Sequence, residues 1–97
     1  MDFVDLQGAS GRSYRFRRWP PGGQHLPIAG NYALVRICDR HVVALGIMEN
    51  LSDATADLTR IRDGLEFFTR FNVARTHREA EHTDLWAALP RSQSSLA

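Results

Sequence analysis

The chain has 97 residues, of which 43% are hydrophobic and 24% are charged, and its formal net charge is +1. These values are typical of a soluble globular protein with one modest core, so residues 1–97 are predicted to form a single domain; they neither require nor exclude a nucleic-acid partner. Because Cys38 is the only cysteine, the chain can form neither an intrachain disulfide nor a cysteine-rich zinc site. No apolar run approaches the roughly 20 residues of a membrane span, and the N-terminal segment lacks a signal-peptide pattern, which predicts a cytoplasmic protein without a membrane partner.

Residues 1–19 predict an N-terminal β-hairpin, because two alternating segments flank a glycine-containing turn. On the second arm, Tyr14 and Phe16 share one face, and Arg15 and Arg17 share the other. Arginines interleaved with aromatic rings are suited to contact phosphates and to stack on bases. The alternative is that the arginines only protect an outer strand from aggregation. The predicted nucleic-acid-binding residues are Arg12, Arg15, Arg17 and Arg36.

Two apolar segments, 31–37 and 41–48, predict a second hairpin that follows a loop rich in proline and glycine at 20–27. Both segments are apolar at successive positions rather than at alternate ones. This pattern is typical of strands at the centre of a sheet, where both faces are covered. We therefore expect both strands in the middle of the sheet.

The second half of the chain predicts a helix, a strand and a helix. Residues 50–64 have apolar side chains at steps of three and four, and Asn50 or Ser52 can cap the first turn. Residues 65–74 have the aromatic and β-branched content of a strand. The whole order predicts an α+β fold, a small sheet of about three to five mainly antiparallel strands with two helices packed on it.

The last predicted helix begins with a capping box formed by Thr76 and Glu79 and ends at Pro90. Residues 91–97 are predicted to form a flexible tail. The predicted buried residues of this helix are Ala80, Leu85, Ala88 and Leu89.

Short sequence segments at the ends of these elements resemble the motifs of the GIY-YIG nuclease superfamily. The segments "GNYALVR" and "ALG" lie where the two strand motifs would be, and "ENLSDATADL" looks like the loop and first helix. The segment "HREAEHTDLWAALPRSQ" looks like the last helix and its exit. The similarity covers residues 29–93, which we take as a GIY-YIG-like core. It implies a tyrosine near the attacking water, an arginine that stabilises phosphate charge and a carboxylate that holds one divalent cation.

Several positions that the resemblance makes catalytic are replaced in this chain. Tyr32 matches the first tyrosine, but Ala44 stands at the second tyrosine, Ala54 at the helix arginine and His82 at the glutamate. A one-residue shift of the alignment would bring Glu81 to the glutamate position. The resemblance therefore implies a catalytically degenerate domain that needs no cofactor, and Tyr32 is a catalytic candidate only if the domain is active, with a cation such as Mg²⁺.

Three functional hypotheses follow. The first is a non-enzymatic nucleic-acid-binding module. The second is a protein-interaction or self-association domain on the same scaffold. The third is an active endonuclease that depends on a divalent metal, with Glu81 or Glu79 and His82 as metal ligands on one helix. The alternative for Tyr32 is that its ring simply packs on the sheet.

Overall fold

The computed structural model describes residues 2–19, 27–54 and 64–89. Its elements are β1 Phe3–Gln7, β2 Ser13–Arg18, β3 Gly30–Arg36, β4 His41–Met48, a short 3-10 helix Leu51–Ala54, β5 Leu65–Phe71 and α1 Arg75–Ala88. Most of the predicted loop at 20–27 and the predicted tail at 91–97 lie outside the described residues.

The five strands form one antiparallel sheet in the order β1-β2-β5-β3-β4. β1 and β2 are adjacent in the chain and pair as a hairpin, and so do β3 and β4. β5 lies between the two hairpins and pairs with β2 on one side and with β3 on the other. Because β5 pairs with both β2 and β3, it joins the two hairpins into one sheet.

The main core lies between the sheet and α1, on the surface that we call the helix face. Side chains that alternate along the strands point into it, since successive residues of a strand face opposite sides. The buried core residues are Val4, Tyr14, Phe16, Ala33, Val35, Phe68 and Leu85. Tyr14 and Phe16 are buried and Arg15 and Arg17 are exposed, as the alternation in the sequence predicts.

The opposite surface of the sheet, which we call the outer face, has a smaller apolar cluster. The rings of Tyr32 and Phe67 are stacked with centroids 5.4 Å apart, and Trp19 meets Phe67 edge-on at 5.8 Å. Leu51, from the 3-10 helix, is fully buried. The middle of the sheet therefore has apolar side chains packed on both of its faces.

Only one of the two strands expected at the centre lies there. β3 pairs with β5 and β4, whereas β4 has β3 as its single neighbour among the described residues. Val43 and Ile47 of β4 are 46% and 37% exposed. The prediction for β4 was wrong because an apolar run reports hydrophobic side chains and carries no information on whether the backbone has a second partner.

The prediction of two helices packed on the sheet is also wrong, since the described part of the chain contains one α-helix, α1. At the start of the other predicted helix, Leu51–Ala54 forms a 3-10 helix. The side-chain carbonyl oxygen of Asn50 accepts hydrogen bonds from the Ser52 N–H at 3.0 Å and the Ser52 hydroxyl at 2.6 Å. The bond from the Ser52 N–H is the N-cap bond that the sequence predicted for Asn50, and here it begins a 3-10 helix. Residues 55–63 lie outside the described residues.

The predicted capping box of α1 does not form. The N-cap residue is Ala74, which offers no side-chain hydrogen bond, so Thr76 is already inside the first helical turn. Glu79 accepts a hydrogen bond from Arg75 instead, at 3.0 Å. The buried residues of α1 are Arg78 and Leu85, whereas Ala80 and Ala88 of the predicted stripe are exposed.

Arg78 has a structural role at the start of α1. Its guanidinium donates to the carbonyls of Val73 at 2.6 Å and Asn72 at 3.3 Å. The buried amide of Asn31 donates to the Arg78 carbonyl at 3.1 Å and accepts from Asn72 at 3.0 Å. This network fixes the end of β5 and the beginning of α1 against β3.

Candidate nucleic-acid interface

The four arginines predicted to bind nucleic acid do not form one surface. Arg15 and Arg17 lie on the outer face of β2, opposite the buried Tyr14 and Phe16. Arg12 lies in the turn between β1 and β2. Arg36 is at the far end of β3, paired across the sheet with Leu65. By alternation from Tyr32, Arg36 is also on the outer face, but it lies four residues further along β3, so only Arg15 and Arg17 are neighbours.

Arg15 is held flat on the surface by two neighbours from β1. Its guanidinium makes two hydrogen bonds to the carboxylate of Asp5, at 2.9 and 3.1 Å, across the directly paired strands. The same guanidinium lies 3.9 Å from the ring centroid of Phe3. The hydrogen bond from Arg15, aided by its charge, lowers the pKa of Asp5, while partial desolvation opposes the shift. Asp5 thus neutralises Arg15 at neutral pH.

Arg17 supplies the net positive charge of this surface. It is exposed and lies between Phe3 of β1 and Thr69 of β5 in the strand register. Among the described residues, no carboxylate forms an ion pair with Arg17.

Two exposed aromatic rings accompany these arginines. Phe3 is 45% exposed, and Phe71, at the end of β5 nearest Arg15, is 53% exposed. Both belong to the outer face, because Phe3 is paired with Arg17 and Phe71 is two residues from Thr69. We call the set Phe3, Arg15, Arg17 and Phe71 the outer-face patch. Sequence reasoning missed Phe3 and Phe71 as part of the site, although the register of the hairpin would have placed Phe3 beside Arg17.

Arg12 lines a different feature, a cleft of about 320 Å³ on the helix side of the sheet. The residues of the cleft are Ser10, Arg12, Tyr14, His77, Ala80, Glu81 and Asp84. Asp84 accepts hydrogen bonds from the Ser10 N–H at 2.8 Å, the Ser10 hydroxyl at 2.7 Å and the Tyr14 hydroxyl at 2.8 Å. These bonds lower the pKa of Asp84, with the Ser10 hydroxyl as the largest cause. The hydrogen bond to Asp84 is in turn the largest cause of the raised pKa of Tyr14.

Arg36 is occupied by an ion pair of its own. It makes two hydrogen bonds to Asp39 in the following turn, at 3.0 and 2.8 Å. Together with the His41 N–H, this pair lowers the pKa of Asp39 to about 2, with Arg36 as the largest cause. Arg36 lies neither in the outer-face patch nor in the cleft.

The predicted metal ligands on α1 have other contacts. Glu81 accepts a hydrogen bond from Arg70 at 2.7 Å, Glu79 pairs with Arg75, and the His82 ring is 6.1 Å from that of Trp86. Within the described residues, no group of three or more His, Cys, Asp or Glu side chains is arranged to hold a metal ion.

Tyr32, the one matching catalytic position, lies on the outer face against Gly46, its cross-strand partner on β4. A Cβ atom at Gly46 would collide with the Tyr32 ring. Since α1 packs on the helix face, the sheet separates Tyr32 from Glu79, Glu81 and His82. Ala44 also lies on the outer face, as the partner of Leu34.

Gly30, the glycine of the segment "GNYALVR", is also required by packing. A Cβ atom at Gly30 would collide with the Arg70 carbonyl oxygen and would come within 2.8 Å of the Leu51 side chain. Packing of the sheet therefore explains the glycines at both positions, Gly30 and Gly46.

Comparison of the chain with protein-family models, with curated proteins and with solved structures gives no match. In the described residues, no helix is long and apolar enough to cross a membrane.

Proposed function

We propose that this domain binds single-stranded nucleic acid, without cutting it, through the outer-face patch. The observation that carries the proposal is the position of the Arg15 guanidinium, 3.9 Å above the exposed ring of Phe3 and next to Arg17, which has no ion-pair partner among the described residues. The resemblance to the GIY-YIG superfamily stays a prediction and is not needed for this proposal.

The chemistry of the patch favours a single strand. Phe3 and Phe71 expose ring surface on which bases can stack, and stacking does not depend on base identity. In a duplex the base faces are stacked on one another, so the rings would have only the backbone to contact. Arg17 provides the charge that a phosphate needs. Stacking by the aromatic rings and phosphate contact by Arg17 therefore occur on the same face.

Cutting is left out of the proposal because of where the candidate groups lie. The Tyr32 ring packs on Phe67 and against Gly46, and the carboxylates of α1 are on the other side of the sheet. Tyr32 makes no hydrogen bond within the described residues that would activate its hydroxyl. The packing role of Tyr32 explains its position without a catalytic role.

The test is a fluorescence-anisotropy titration of the protein with labelled single-stranded and double-stranded DNA at about 50 and about 200 mM salt, with magnesium present. We expect the single strand to bind more tightly and its binding to weaken with salt. Phe3→Ala should weaken binding about fivefold to 150-fold, the equivalent of ~1–3 kcal/mol per stacked base. Arg17→Gln should reduce the salt slope by about 0.7.

Arg75→Gln is the matched control for Arg17→Gln, because it removes the same charge from an exposed position on α1, away from the patch. It should bind as the unaltered protein does. The proposal is wrong if neither DNA binds at the lower salt, or if the Phe3 and Arg17 variants bind as well as the Arg75 variant. Electrophoresis of the same samples would reveal any cutting.

A further inference from the structure

We propose that β4, which is an edge strand of the sheet that the described residues form, pairs with β4 of a second copy of this chain, so that the domain forms a two-fold dimer with a continuous sheet. The proposal concerns the opposite edge of the sheet from β1 and β2, and it does not depend on nucleic-acid binding. It rests on the backbone geometry of β4 and on the absence of charge along it.

An edge strand presents a row of backbone N–H and C=O groups that can pair with another strand. Many proteins block such an edge with charged side chains, proline, bulges or a very short strand. β4 has eight residues, HVVALGIM, with neither an acidic residue nor Lys, Arg or Pro among them. The other edge strand, β1, has five residues and includes Asp5.

A bulge sets the limits of the proposed pairing. The β3–β4 register shifts between Leu34 and Val35, which leaves Val43 as the extra residue of β4. A bulge bends its strand and locally disrupts pairing. Residues 44–48 lie beyond it and are in regular register with β3. We therefore assign the contact to residues 44–48.

A second copy fits this edge better than a charged partner does. In a two-fold antiparallel pair, the residue on the symmetry axis meets its own copy, and residues at equal distances on either side of it meet each other. Residues 44–48 are Ala, Leu, Gly, Ile and Met, and they contain no charge that would repel its copy. Asp5 is the middle residue of β1, so a two-fold pair centred on β1 would bring the two Asp5 carboxylates close together. Antiparallel self-pairing is therefore permitted at β4 and opposed at β1.

Exposed apolar side chains at this edge add to the backbone pairing. Ile47 is on the helix face of β4 and is 37% exposed. Pairing with a second β4 would bring the two Ile47 side chains onto the same face of the extended sheet. The contact is small, so we expect a dimer whose fraction rises with protein concentration.

The test is sedimentation velocity of the full chain over a range of protein concentrations, with circular dichroism to verify folding. We expect the unaltered protein to shift from monomer to dimer as its concentration rises. Ile47→Lys should keep the protein monomeric, because it places like charges at the contact. Val73→Lys is the matched control, since Val73 is 74% exposed and lies outside the sheet, and it should dimerise normally.

A mixing experiment separates loss of pairing from damage to the fold. Ile47→Lys and Ile47→Glu should each be monomeric alone and should form a heterodimer when mixed, because the introduced charges are then opposite. A chain that is monomeric at every concentration would overturn the proposal. So would dimers of Ile47→Lys as abundant as those of Val73→Lys, or a folded Lys and Glu pair that does not associate.

Discussion

Asp5 controls the charge of the outer-face patch, because its carboxylate holds Arg15 in an ion pair. The two side chains are 43% and 57% exposed, so solvent and a competing phosphate can both reach them. An exposed pair of this kind contributes little to the free energy of unfolding. Its consequence is for binding, since a phosphate must compete with Asp5 for the Arg15 guanidinium.

Asp5→Asn is therefore expected to tighten binding of single-stranded DNA. The change leaves an oxygen that can still accept from Arg15, but it removes the negative charge. The plot of log affinity against log salt should become steeper by about 0.7, the value for one more phosphate contact on a single strand. Anisotropy titrations over a range of salt concentrations measure this slope.

The control for this prediction is Asp39→Asn, which releases Arg36 from an equivalent ion pair at a distance from the patch. Both variants change the net charge by the same amount. If the two variants tighten binding equally, general charge rather than the outer-face patch is responsible.

At the scale of elements, the β3–β4 hairpin depends on the contact between Tyr32 and Gly46. The two residues are directly paired across the strands, and the ring covers the glycine. A glycine weakens a strand, but here it leaves room for an aromatic side chain that also stacks on Phe67. Tyr32 of the first motif therefore requires a glycine at position 46 of the second motif, because its ring occupies the space of a side chain there.

We expect Gly46→Ala to destabilise the protein by about 1–3 kcal/mol, because the added methyl group overpacks the Tyr32 ring. The loss of unfolding free energy caused by Gly46→Ala should be much smaller in a Tyr32→Ala background. In a double-mutant cycle, the double variant should therefore lose less stability than the sum of the two single variants. Urea denaturation of the four proteins measures these losses.

Tyr32→Phe serves as the control for the cycle, since it keeps the ring and removes only the hydroxyl. Gly46→Ala should cost nearly as much in that background as in the unaltered protein. If Gly46→Ala cost the same in the unaltered protein and in the Tyr32→Ala background, the ring would not be what the methyl group meets.

At the scale of the whole molecule, Asp84 joins the two ends of the described chain. Its carboxylate on α1 accepts hydrogen bonds from Ser10 and Tyr14, and its backbone carbonyl accepts one from the Ala9 N–H at 3.0 Å. A Cβ atom at Gly8 would collide with the same carboxylate. The turn of the first hairpin is therefore fixed to the last helix.

This arrangement predicts a stability that falls in acid. The pKa of Asp84 is lower in the folded state than its ordinary value of 3.8, so the bonds to the carboxylate stabilise the fold fully above that value. The contribution is lost as the pH falls through the folded-state pKa, where the carboxylate is protonated. Asp5 and Asp39, whose pKa values are also lowered, act in the same direction.

Thermal unfolding between pH 7 and pH 2 tests the prediction. The melting temperature should decrease below about pH 4. Asp84→Asn should have a lower melting temperature than the unaltered protein at pH 7 and a smaller decrease in acid. Asp53→Asn, at an exposed position in the 3-10 helix, controls for the loss of one negative charge. Parallel acid profiles for Asp84→Asn and the unaltered protein would contradict the assigned role of Asp84.

The sequence by itself determined which faces of β2 are buried and exposed, because alternation along a strand is a local property that the pleat imposes. It also predicted strands at the segments that became β3, β4 and β5. For the same reason it placed Arg15 and Arg17 on one surface. It did not distinguish a central from an edge position for β4, and it predicted a second packed helix that the described residues do not contain.

Only the tertiary structure decided how the site residues are grouped. The insertion of β5 between the hairpins brought Phe71 to the end of the outer face nearest Arg15, and the packing of α1 joined Asp84 to Ser10, 74 positions away in the chain. It also placed the sheet between Tyr32 and the carboxylates of α1. Contacts between distant segments depend on strand order and helix placement, and a local pattern of residue types specifies neither.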